Sequence, residues 1–346
     1  MANEHCIQII SDLHLATRHL LSLEDTTLTL KRLLRKLKSH HLKQFLCDLG
    51  AFRLCLSLFQ WTSLTCSLTT LLLQITYEFL RSTESSQVYS SELQVFLRYS
   101  LMDDLTHQLV QHGGNLKFLR VLCRTLIAIA VNGSQGRLYV LDSKLLLLLL
   151  DCLEKVDHFR TSNICMSCIT CLLCCDNASS LSKLNETFVS ICWQVFEHHP
   201  WRLYILKVIC DFIVIVPEPL PSSKRIASVL VEVAKLHGVD RECGSMALAA
   251  IISCCERNNK YPLLFQEARL LPVLNSSTFS FEDDSIASLR LYTCLNKVYL
   301  GDKDNVTARL IGEGALTTQR HVFLLPAQVM RDKWAPVFRL LTHPDQ

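Results

Sequence analysis

The strongest constraint on this chain is a spacing. Six apolar stretches each end in a short polar break followed by a second amphipathic stretch; Ser82, Asn132, Asn177, Pro217, Asn258 and Asp302 mark the breaks. The steps between them are 50, 45, 40, 41 and 44 residues. A period of roughly 40 to 47 residues is that of helical repeats, in which each unit has an apolar face that only its neighbours can cover. The period therefore predicts a stack of helical units.

Composition points the same way. The 346 residues include 10 glycines and 9 prolines, well under the average usage of about 7% and 5%. Sandwiches, barrels and dinucleotide-binding folds need many tight turns, and turns need those residues. The chain is 49% hydrophobic, and its segments 143–153 and 164–175 are apolar almost all round, as suits central helices with neighbours on several sides. Mean hydropathy is high at +0.24, yet the longest uncharged run, Leu54 to Tyr77, holds ten Ser, Thr and Gln in 24 residues. Lipid requires about 20 predominantly apolar residues, so no membrane span is expected. The first residues, MANEHCIQIISDLHLATRH, break their apolar run at Asp12, His14 and Arg18 and carry no secretory signal. A cytoplasmic or nuclear location is expected, with the 17 cysteines reduced and the N-x-S/T sequons at Asn132, Asn177, Asn185, Asn275 and Asn305 read as chance.

Two stretches give the repeats a type. In FLCDLGAFRLCLSLF (45–59) and ARLIGEGALTTQRHVFLL (308–325), a short helix ends at a glycine and a leucine-rich helix begins. Gly50 and Gly314 stand where a helix C-terminus favours a left-handed residue. These junctions, with LIAIAVNGSQGRLYVLDSKLLLLLL, resemble those of the armadillo-repeat superfamily over roughly residues 41–341. The resemblance implies an all-α, right-handed α-solenoid of about six armadillo-like repeats. It would comprise an N-terminal helical cap (1–40), one continuous array (41–341) ending in a helix near 326–341, and a short tail (342–346). The middle repeats lack the glycine junction, so HEAT-type helix pairs remain open there.

Residues 164–177, ICMSCITCLLCCDN, place Cys165, Cys168, Cys171 and Cys175 at the C-x₂-C-x₂-C-x₃-C spacing of an iron–sulfur ligand run. On a helix at 100° per residue, Cys168, Cys171 and Cys175 form one ridge, from which four thiolates cannot converge on a cluster. Nothing bends the run, and free cysteine packs as a small hydrophobe. It reads as a core helix, with no metal and no cofactor.

The resemblance implies that the third helix of each repeat lines a binding groove, here approximately 64–81, 116–131, 163–175, 203–216, 244–256 and 286–300. Lys117, Arg120 and Arg124 follow i, i+3, i+7 spacing and share one helical face; Lys207, Arg290 and Lys297 lie on other third helices. Facing the groove, they would hold an acidic or phosphorylated protein segment; facing solvent, they are ordinary surface charges. A second basic patch, Lys31, Arg32, Arg35, Lys36 and Lys38, lies on an amphipathic stretch with Leu30, Leu33, Leu34 and Leu37. It reads as the solvated face of the cap or as a nuclear-targeting or acidic-partner site. Nuclear-import receptors carry a repeated Trp and Asn array, which Trp61, Trp193, Trp201 and Trp334 do not make.

No phosphate loop, dinucleotide fingerprint, zinc-protease, serine-hydrolase or kinase motif is present. The pairs Asp103–Asp104 and Asp283–Asp284 fall where loops or helix N-termini are expected. A net charge of +3 is too mild to announce nucleic acid. The sequence thus predicts a non-enzymatic interaction scaffold or adaptor without a small-molecule substrate. The alternatives are an armadillo-type regulator of a small GTPase or chaperone, and a nucleic-acid-associated helical repeat. The partner's identity and the oligomeric state lie outside what these residues specify.

Overall fold

The computed structural model describes residues 2–61, 64–81, 89–132, 134–174, 182–216, 222–236 and 241–274, with Cys294 and Val298. Among them there is helix and turn and no strand, so the fold is all-α. The chain divides into two compact units, Met1–Cys175 and Asp176–Gln346.

The first unit opens with the hairpin α1 (Ala2–Thr17) and α2 (Leu23–Lys36) and continues in three three-helix repeats. These are α3 (His40–Asp48), α4 (Ala51–Ser57) and α5 (Cys66–Leu80); α6 (Tyr89–Arg98), α7 (Met102–His112) and α8 (Leu116–Val131); and α9 (Ser134–Leu141), α10 (Leu145–Lys155) and α11 (Phe159–Leu173). Each third helix packs on the next, α5 against α8 and α8 against α11, while α2 packs on α5. The triplets are the arrangement expected of armadillo-type units.

Local chemistry sets the boundaries. Ser22, Thr65 and Asn115 cap α2, α5 and α8 by accepting from backbone N–H groups two or three residues on. Gly50 adopts φ 77°, ψ 15° between α3 and α4, the left-handed turn that its place in the sequence predicts. The helix expected from 163 starts at Phe159 because the His158 ring Nδ1 accepts from Thr161 N at 3.4 Å. The uncharged run 54–77 is also explained. Thr69, Thr70 and Thr76 of α5 are buried, and their hydroxyls donate to the carbonyls of Thr65, Cys66 and Leu72 at 3.0, 2.6 and 2.9 Å. Polar residues satisfied on their own helix enter a protein core at small cost. No helix of the described residues is long and apolar enough to cross a membrane.

The second unit has a different cadence. α12 (Ser182–His198) pairs with α13 (Tyr204–Ile215), and α14 (Lys224–Lys235) with α15 (Arg241–Arg257), before the short α16 (Tyr261–Glu267) and α17 (Leu270–Leu274). Among the described residues of 182–257 the helices follow one another as two pairs. α13 packs on α15, and the core is closed by Phe188 and Phe212, whose rings meet edge-on at 4.9 Å. Apart from Cys294 and Val298, the expected helix 286–300 lies outside the described residues, as do the junction around Gly314, the helix 326–341 and the tail.

Candidate functional site

In the first unit, α5 and α8 run parallel in a fixed register. Thr125, fully buried, donates its hydroxyl to Leu73 O at 3.1 Å, and seven residues on Asn132 Nδ2 donates to Leu80 O at 2.8 Å. Two turns of helix separate both donors and both acceptors. The α8–α11 contact is set by Cys123 and Cys165, with sulfurs 3.6 Å apart in the core. Arg137 of α9 donates to Cys174 O at 3.0 Å and closes the C-terminus of α11.

This stacking leaves one stripe of each third helix uncovered. On α8 the stripe holds Lys117 and Arg124, both exposed, and half-buried Arg120, so the three cations do share an exposed face. Arg120 Nε donates to Leu116 O at 3.0 Å. Among the described residues, none of the three side chains meets a carboxylate. On α5 the stripe holds Ser67 and Gln74, then Tyr77, Glu78 and Arg81; on α11 it holds Arg160, Asn163 and Ser167. The Cys123–Cys165 register puts Arg160 beside the Lys117 turn. Sequence reasoning passed over Arg160, although a step of 43 from Lys117, within the range of the repeat spacing, finds it.

The other candidates are placed differently. Lys207 on α13 is half-buried, and its ammonium meets the Glu242 carboxylate of α15 at 2.6 Å. Asp211, one turn on, has its carboxyl pushed above the ordinary range by burial, against the opposing pull of Lys207. That corner of the second unit is charge-compensated. Arg290 and Lys297 lie outside the described residues. On α2 and the turn that follows it, Lys31, Arg32, Arg35 and Lys38 are exposed and Lys36 is half-buried, while Leu30, Leu33 and Leu37 are buried.

The cysteine run is α-helical from Ile164 to Leu173. Cys165 and Cys168 are fully buried, and Cys171 and Cys174 are half-buried at the end of α11; Cys175 lies outside the described residues. The hydrogen bond to Cys123 and then burial hold the Cys165 thiol far up. Burial pushes Cys152 to about 11 and, aided by Glu92, Cys47 to about 12, and it raises Cys55, Cys192, Cys210 and Cys254 as well. Thiols so raised stay protonated and are poor nucleophiles and poor metal ligands. Asp103 and Asp104 occupy the first turn of α7, where helix N-termini favour acids. A cleft of about 350 Å³ between α7 and α10 is lined by Leu109, Val110, Leu148 and Val156 and by the Asp151–Lys155 ion pair.

No family model matches the chain, and no curated protein matches it. Solved structures do. A designed armadillo repeat protein, YIII(Dq)4CqI, is similar over 84% of this chain and 98% of its own, at 13% identity and a TM-score of 0.46. Computationally designed armadillo repeat proteins for modular peptide recognition are similar over 84% and 98%, at 15% identity and 0.44. Another, in complex with the peptide (KR)4, is similar over 84% and 98%, at 12% and 0.44. The structural neighbours are armadillo-repeat proteins.

Proposed function

We propose that the chain is a non-enzymatic interaction scaffold of a reducing compartment, cytoplasmic or nuclear, that holds an acidic or phosphorylated segment of a partner protein. The segment docks on the uncovered face of α5, α8 and α11. Lys117, Arg120 and Arg124 anchor it and Arg160 assists, while the α1–α2 hairpin closes the N-terminal end of the stack and offers its basic face as a secondary contact.

The observation behind this reading is the contrast between two sets of cations. Lys207 spends its charge on Glu242, whereas Lys117, Arg120 and Arg124 meet no carboxylate among the described residues, and Arg160 adds a fourth positive charge beside them. Guanidinium groups bind carboxylate and phosphate with paired hydrogen bonds, so this face suits an anionic segment.

Fluorescence anisotropy with labelled acidic and phosphoserine peptides tests the reading. The double reversal Arg120→Glu, Arg124→Glu should weaken binding at least tenfold while leaving the helical circular dichroism nearly unchanged, since Arg124 is exposed and half-buried Arg120 bonds only to Leu116 O of its own helix. The effect should exceed that of Lys31→Glu, Arg35→Glu and shrink as salt rises. Equal binding by the α8 double variant and the wild type would refute the assignment.

A further inference from the structure

The uncovered stripe of α8 changes character along its length. Its first half carries Lys117, Arg120 and Arg124; its second half carries Ile127 and Ala128, both half-buried, and Val131, which is 70% exposed. Residues 117, 120, 124, 127 and 131 step by three and four, the seam along which one helix packs on another. At 1.5 Å per residue, Val131 lies about 10 Å beyond Arg124 along the axis. The division belongs to α8: on α5 Ser67 and Gln74 are followed by Tyr77, Glu78 and Arg81, and on α11 Arg160, Asn163 and Ser167 are followed by half-buried Cys171. Capping does not account for Val131: the cap is made by Asn132, whose amide also donates to Ala128 O at 2.7 Å. Val131, with half-buried Ile127 and Ala128, continues the stripe as an aliphatic surface directly adjoining its cationic half.

A segment crossing the three helices at right angles meets either the cationic half or the apolar half. A segment lying along α8 meets both. We propose that the ligand is an amphipathic helix aligned with α8. Its acidic side chains face Lys117, Arg120 and Arg124, and two bulky aliphatic side chains, farther along, face Ile127 and Val131. The proposal rests on the acidic-segment reading above and adds to it the conformation of the ligand and its apolar half.

Three labelled synthetic peptides of about twenty residues, long enough to form helix, test it on the full chain. The first is alanine-based with Glu at three successive seam positions and Leu at the next two, made in both chain orders. The second replaces both leucines by serine, and the third keeps them but carries a central proline. The first should bind about tenfold more tightly than the second, as covering one aliphatic side chain implies, and the proline peptide should lose at least that much. Val131→Ser should weaken the first peptide several-fold and leave the second unchanged. Equal affinity of the first and second peptides, or undiminished binding of the proline peptide, overturns the helical, half-apolar ligand. The acidic-segment reading survives that result if the second peptide still binds and Arg120→Glu, Arg124→Glu abolishes it. If none of the peptides binds, or charge reversal changes nothing, both readings fall.

Discussion

Raising the pH should unfold this protein through its buried thiols. In the second unit Cys192, Cys210 and Cys254 are buried, and desolvation is the leading cause that lifts each of them above the ordinary thiol value of 9.0. The folded chain keeps these protons when the unfolded chain has released them. Their stabilisation is therefore fully present below pH 9 and is lost as pH climbs from there toward the folded values. At pH 10 an unfolded thiol of ordinary pKa contributes about 1.4 kcal/mol of destabilisation, so three contribute about 4 kcal/mol. That is a large share of the 5–15 kcal/mol typical of a domain. Tyr261, also raised by burial, adds only about 0.4 kcal/mol at that pH. Urea unfolding under reducing conditions, followed by tryptophan fluorescence in a Trp61→Phe background, should show the midpoint falling by about 2 M between pH 8 and 10. The variant Cys254→Ala, less stable at pH 8, should lose about 1.4 kcal/mol less over the same interval. A midpoint shift worth less than one thiol would refute the burial of these groups as a set.

Other perturbations probe single contacts. The Arg257 guanidinium of α15 donates to the carbonyls of Ile213, Val214 and Val216 at the end of α13; Arg257→Ala should cost about 2 kcal/mol, read as a lower melting temperature, and Arg257→Lys should recover part of it. A Cβ on Gly113 would come within 2.7 Å of Leu109 O and 3.1 Å of Cys152 Sγ, so Gly113→Ala should destabilise the first unit, whereas Gly114→Ala, with nothing within 4 Å, should not. Phe212→Ala should cost about 3–5 kcal/mol in urea unfolding, because it removes the ring that Phe188 meets edge-on.

The periodic parts of the fold were legible. The segment 116–131 predicted from its apolar spacing is α8 to the residue, Gly50 turns left-handed where a helix had to end, and the cysteine run is helix as far as Leu173. What the sequence withheld depends on register between helices. That Lys207 is paired with Glu242, 35 residues away, or that Arg160 stands beside Lys117, follows from how neighbouring repeats slide against each other, and a linear pattern does not carry that offset. The number of helices in each repeat was left open for a related reason. A short second helix of seven residues, such as α4, has too few turns to announce itself by periodicity, so its absence is equally quiet.

The contact between α5 and α8 has a consequence for how such a chain can change over time. Thr125 and Asn132 spend their donors on main-chain carbonyls, a group that every residue at positions 73 and 80 would supply. Alignment of the two helices is thus indifferent to the side chains on the receiving side. The outward stripe of α5 is free to drift in chemistry, and to acquire new ligands, while the distance and direction to its neighbour stay as they are.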